Sequence, residues 1–136
     1  MVGQTKDVGW NIGVSKTLPY ALEHLWRFIS SPEGTAIWLG AGADLQPEKG
    51  SRYTTADGTT GEVRSYHEND RVRLTWRPAD WDHDTTVQVA LSTKGANTTL
   101  RFHQEWLADA EERARQRDHW RAVLDRVIAA LPQPTQ

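Results

Sequence analysis

The sequence has no cysteine. Disulfides, thiolate chemistry and cysteine-based zinc sites are thereby excluded, and a chain without thiols fits the cytoplasm. Long apolar runs are missing too. The longest, Val127 to Leu131, is far short of the roughly 20 residues that span a bilayer. The opening MVGQTKDVGWNIG has no apolar core of the kind a secretory signal needs. One-sided charge is absent as well. A net charge of -2 provides no basic field for nucleic acid. Glycine-rich phosphate loops are lacking, because Gly40 and Gly42 are not followed by a lysine-serine pair.

What remains is a globular composition, with 38% apolar and 25% charged residues. A length of 136 residues suits one domain, 1–136, with no internal repeat or linker. A chain of this size buries about 70% of its unfolded surface and needs no staple. Tryptophan is the one surplus. Seven occur, Trp10, Trp26, Trp38, Trp76, Trp81, Trp106 and Trp120. They either build a core of large side chains or line a cavity for an apolar or aromatic ligand.

Periodicity orders the elements. Val8, Trp10, Ile12 and Val14 alternate as in a strand with one buried face. Thr17-Leu18-Pro19 reads as a helix start, with Thr17 as cap. Leu18, Leu22, Leu25, Trp26 and Ile29 then form a helical stripe. Ser31-Pro32 breaks it, and PEGTAIWLG reads as a short second helix ended by Gly40. Five period-two segments follow: SRYTT, GEVRSYH, RVRLTWR, TVQVALS and TTLRFHQEW. Turns fall at Asp57-Gly58, Glu68-Asn69-Asp70, the 78–84 stretch and Lys94 to Asn97. In the last strand, alternation places Leu100, Phe102, Gln104 and Trp106 on one face, with Arg101, His103 and Glu105 on the other. Asp109 and Glu112 resemble a capping box for a long final helix. Its apolar stripe is Trp120, Val123, Leu124, Val127, Ile128 and Leu131. The preceding EERARQRDH is almost wholly polar and is expected to lie over solvent. Segregated helices and antiparallel strands make the class α+β, and the last helix is the only element able to cover the sheet's apolar face.

The most suggestive stretch chemically is LTWRPADWDHDTTVQV, Leu74 to Val89. Asp80, Asp82 and Asp84 resemble the start of a calcium loop. Such a loop needs glycine at its sixth position and glutamate at its twelfth, where this chain has Thr85 and Leu91. His83 has no neighbouring histidine with which to bind zinc. The stretch therefore reads as a hairpin turn. Trp81 at its tip either folds back over a cavity mouth or marks a contact surface. Nothing resembles a nucleophile elbow. His24 and His119 read as boundary residues. Arg71, Arg73 and Arg77 read as an outer face paired with Glu62, Glu68 or Glu105.

In this order, SPEGTAIWLG, GEVRSYHENDRVRLTWR, TVQVALSTKGANTTLRFHQEWL and HWRAVLDRVIAAL resemble the START/Bet v1-like (SRPBCC) superfamily. Within it the chain is most similar to the Aha1-like branch, named after the activator of Hsp90 ATPase. The resemblance implies a helix-grip fold, a curved antiparallel sheet of about six strands wrapped on the C-terminal helix, with two short helices after the first strand. It also implies a cavity between that helix and the sheet that takes lipids, polyketides or other apolar molecules. Alternation assigns Tyr53, Val63, Leu74, Trp76, Val87, Val89, Leu100, Phe102 and Gln104 to the wall facing the helix. Trp120 and Leu124 face back, and Trp38 closes one end. Relatives often carry an inward histidine where this chain has Gln104, and an amide cannot act as a general base. The expected function is therefore binding of a small hydrophobic ligand, with Trp38, Trp76, Phe102 and Trp120 as walls and Gln104 as polar anchor. No metal or organic cofactor is required. The alternatives are a chaperone-interacting protein of the Hsp90-activator type and a cyclase- or hydrolase-like enzyme.

Overall fold

The computed structural model describes residues 4–5 and 9–132. Val8, assigned above to the first strand, lies outside them. The order is β1 (Gln4–Thr5), β2 (Gly9–Leu18), α1 (Leu22–Ser30), α2 (Pro32–Trp38), β3 (Arg52–Thr54), β4 (Thr60–His67), β5 (Arg71–Trp76), β6 (Thr85–Lys94), β7 (Asn97–Leu107) and α3 (Ala110–Ala130). The strands form one antiparallel sheet in the order β1-β2-β7-β6-β5-β4-β3. Each hairpin-linked strand packs beside its predecessor, and β2 closes against the last strand, β7. The two-residue β1 adds a seventh strand to the six expected. The inward residues of β4 to β7 bury against the three helices, with α3 running against β2 and β7 and α1 against β6 and β7.

Local chemistry explains the helices. Ser31 sits in extended backbone and accepts a hydrogen bond from the Gly34 amide at 3.0 Å, with Pro32 in the first turn of α2. Gly34 is needed because a Cβ there would come within 1.9 Å of the Phe28 carbonyl oxygen. The α1 stripe buries Leu25, Trp26 and Ile29, and Phe28 joins them. Asp109 caps α3 by accepting from the Glu112 amide at 2.8 Å. Glu112 accepts in turn from the Ala108 amide at 3.0 Å, one residue before the cap.

Three expectations need correction. Thr17 is not a helix cap. It lies inside β2 opposite Thr99, and the two hydroxyls hydrogen-bond at 2.8 Å. The helix starts only after the Pro19-Tyr20 bend, with Ala21 as its N-cap residue and no side-chain cap. A β-branched residue with a cross-strand partner of the same type favours the strand.

Trp106 does not continue the inward face of β7. It takes φ of 68°, the pairing with β2 shifts between Trp10 and Ile12, and its side chain is 49% exposed. The extra residue of a β-bulge turns the following side chain over. Glu105, expected outside, does lie on the outer face with Arg73, yet it is buried under that contact.

The polar start of α3 is not simply laid over solvent. Glu112 and Gln116 are buried. They precede Trp120 at four-residue intervals and so extend the same stripe that becomes apolar at Val123, Leu124 and Val127.

Candidate ligand-binding site

The space between α3 and the sheet brings the wall residues together. Tyr53, Val63, Leu74, Trp76, Val87, Val89, Leu100, Phe102, Gln104, Trp120, Leu124 and Trp38 are all buried. Phe102 on β7 stacks on Trp120 of α3, with ring centroids 5.1 Å apart. Trp38, at the end of α2, meets Phe102 at a tilt with ring centroids 6.4 Å apart. Trp76, at the end of β5, meets Trp120 at 6.2 Å. The aromatic rings thus form one continuous row, Trp38-Phe102-Trp120-Trp76, and fill the grip interior against one another. Clefts of about 530 Å³ and about 460 Å³ open elsewhere. One lies by Tyr20, His24 and Leu131, the other by Arg52, Thr60 and Arg77, where of the wall residues only Tyr53 takes part.

Gln104 lies at the centre of a closed polar network. Its carbonyl oxygen accepts from Trp120 Nε1 at 2.8 Å and from Gln116 Nε2 at 2.9 Å. Its amide nitrogen donates to Thr85 Oγ1 at 2.9 Å, and Thr85 donates to the Trp76 carbonyl at 2.7 Å. Every link is buried, so the network ties β5, β6, β7 and α3 with bonds strengthened by low polarity.

Beside this network the loop between β5 and β6 folds back over the end of the row. Trp81 meets Trp76 edge-on at 5.4 Å. His83 stacks under Trp81 at 5.0 Å. Its Nδ1 lies 2.9 Å from Asp82 Oδ1 and its Nε2 lies 2.7 Å from Glu112 Oε1 on α3. Burial alone would lower the pKa of His83. The two carboxylates outweigh it by hydrogen bonding and charge, and hold the pKa above the ordinary histidine value. The Arg77 Nε–H donates to the Trp81 carbonyl at 2.9 Å and fixes the loop from the other side. The 78–84 stretch is thus a connection between strands, as its composition suggests. It is also a flap pinned to α3 by a carboxylate-histidine contact.

The His83–Glu112 pair was not found by sequence reasoning, since its members are 29 positions apart. The available signal was the spacing of Glu112, Gln116 and Trp120, which places a carboxylate at the helix end nearest the flap.

One polar group at this mouth is unused, and an imidazole lies beside it. Trp76 Nε1 is buried and has no hydrogen-bond partner among the described residues. Such a donor costs about 1–3 kcal/mol of desolvation. His119 on α3 lies 5.9 Å from the Trp76 ring and 4.8 Å from the Trp120 ring. Burial, aided by the charge of Arg126, lowers its pKa below the ordinary value, so its imidazole is neutral near pH 7.

The family described as activator of Hsp90 ATPase homolog 1-like protein matches residues 19–131. Comparison with curated proteins finds no match. Among solved structures, a protein from Mesorhizobium loti superposes with a TM-score of 0.75 at 21% identity, covering 86% of this chain and 93% of its own. CalU16 from Micromonospora echinospora does so with 0.77 at 17% identity, over 96% of this chain and 82% of its own. An Hsp90 activator from Plasmodium falciparum gives 0.73 at 19% identity, over 91% and 99%. The sheet wrapped on α3, with α1 and α2 between the first long strand and the rest, is the helix-grip arrangement these structures share, and the chain belongs to the activator of Hsp90 ATPase homolog 1-like family.

Proposed function

We propose that this protein binds a small apolar or aromatic molecule between α3 and the sheet. Trp38, Tyr53, Leu74, Trp76, Val89, Phe102, Trp120 and Leu124 form the walls, and Gln104 braces Trp120 from behind. The observation that carries this reading is the aromatic row itself. It spans the interior from Trp38 to Trp76 without a charged side chain, and ends under a flap rather than under a rigid strand. The tilted contacts at the two ends of the row leave ring faces that another aromatic ring can take with little loss of contact energy. Access needs the 78–84 loop to lift, which breaks the His83–Glu112 contact and the Arg77–Trp81 hydrogen bond and leaves the sheet intact. His83 and Glu112 hold the flap, so the reading assigns them no catalytic role. The ligand is the partner this reading assigns, and a cytoplasmic location belongs to the same proposal.

Titration with an aromatic probe such as 1-aminoanthracene, followed by tryptophan quenching, tests this. Saturable quenching is expected, with tighter binding to Leu124→Ala, which empties space one turn from Trp120. A grip that never opens would give no saturable signal in either protein.

A second reading, a chaperone-interacting surface, is favoured by Trp106 alone. A tryptophan held half-exposed at positive φ is strained, and exposed aromatics of this kind anchor protein interfaces.

A further inference from the structure

We infer that the ligand is a flat aromatic molecule carrying a hydrogen-bond acceptor, a carbonyl or phenolic oxygen, and that it docks at the flap end of the row by displacing Trp81. This rests on the binding reading above and specifies its ligand class. The argument starts from which polar groups are already used. Gln104, the natural anchor by sequence, has its oxygen occupied by two donors and its nitrogen engaged with Thr85. The Trp120 indole N–H is committed to it. The Trp76 N–H has no hydrogen-bond partner among the described residues, although Trp76 is only 7% exposed. Arg117 Nε also lacks a hydrogen-bond partner among the described residues, but it lies 4.0 Å from Asp118 Oδ1 and its side chain is 41% exposed, so charge and water satisfy the guanidinium. Trp76 has no such outlet.

A buried donor in a native fold calls for a partner. The rings around Trp76 are Trp81, His119 and Trp120. Of these only Trp81 belongs to a loop, and it is half-buried. It places an aromatic ring against Trp76 and contributes no acceptor to the indole N–H. Trp81 therefore acts as a plug that satisfies the shape of the site and leaves its polarity unmet. A ligand ring with an oxygen at its edge satisfies both. The neutral imidazole of His119 offers a second polar contact that suits an uncharged carbonyl or hydroxyl. A purely aliphatic ligand leaves the Trp76 N–H unpaired.

The test is a matched pair of probes, 9-fluorenone and fluorene, which share a shape and differ by one carbonyl. Affinities are read by calorimetry on the wild type, Trp76→Phe and Trp81→Ala, each first checked for a cooperative urea transition. Fluorenone is expected to bind the wild type about tenfold more tightly than fluorene, the size of one recovered hydrogen bond. In Trp76→Phe that preference should vanish through loss of fluorenone affinity alone. In Trp81→Ala both probes should bind several-fold more tightly. Equal wild-type affinities, or a preference that survives Trp76→Phe, overturn the acceptor assignment while leaving the binding reading in place. Weaker binding to Trp81→Ala overturns the plug. Binding of neither probe to any of the three proteins overturns the binding reading and the inference together.

Discussion

Gln104 and Trp76 lie within one buried layer and handle polarity in opposite ways. Around Gln104 each donor has met an acceptor, and the groups come from three strands and a helix. At Trp76 the indole N–H has no acceptor among the described residues, and the ring that meets it edge-on belongs to a loop. A satisfied network stabilises the fold and specifies one arrangement of the core. An unsatisfied donor costs stability and is kept where something else meets it. The difference separates the part of the grip that holds the protein together from the part that receives a ligand.

The largest effect should come from Gln104→Leu. It orphans the Trp120 N–H and the Gln116 amide, removes a donor from Thr85, whose hydroxyl keeps its bond to the Trp76 carbonyl, and should destabilise by about 3 kcal/mol in urea unfolding. Trp76→Phe loses ring area and also removes an unpaired donor, so it should cost less than about 1.5 kcal/mol. Equal costs at the two positions would erase the contrast.

Acid should sharpen it with effects of opposite sign. Burial lowers the pKa of His103 and His119, so the fold favours their neutral forms. Their contribution is full above the ordinary histidine pKa and is lost as pH falls below it, and urea unfolding should show global stability declining on acidification. His83 is shifted upward. Its contribution is full below the ordinary value and fades as pH rises through the raised one, so the flap should be held most firmly in mild acid. Hydrogen exchange at Trp81 and His83, corrected for intrinsic rates, should speed up roughly fivefold between pH 6 and pH 8.5, for a latch of about 1 kcal/mol. His83→Gln should flatten that dependence. A smaller effect belongs to Glu112→Gln, which keeps the acceptor for the Ala108 amide and removes one of the two carboxylates facing His83. The His83 pKa, followed by NMR, should then move down toward the ordinary histidine value.

The grip was legible wherever period two or 3.6 runs unbroken. Leu100, Phe102 and Gln104 point inward as their alternation requires, and Trp120, Val123 and Val127 follow the helical stripe. Failures came where tertiary contact overrides local pattern. The bulge at Trp106 inverts one side chain, and no residue type in GlnGluTrp announces it. Thr17 suits a cap as well as a strand, and only Thr99 across the sheet decides. Glu112 and Gln116 were read by polarity when their spacing already placed them on the buried face. Whether the wall residues fill the interior or enclose a void depends on rotamers and ring angles, which composition does not encode. The flap latch joins a loop to a helix far along the chain, and such a pair has no local signature.

The seven tryptophans offer a direct measurement. With 5-fluorotryptophan incorporated and each resonance assigned by single Trp→Phe variants, a fluorine NMR titration with 9-fluorenone reports every indole at once. The account expects Trp81 to move to a solvent-like shift and Trp76 to change with the same saturation curve, while Trp106 stays fixed. Movement of Trp106 alone, or of neither Trp81 nor Trp76 at saturating probe, would contradict it.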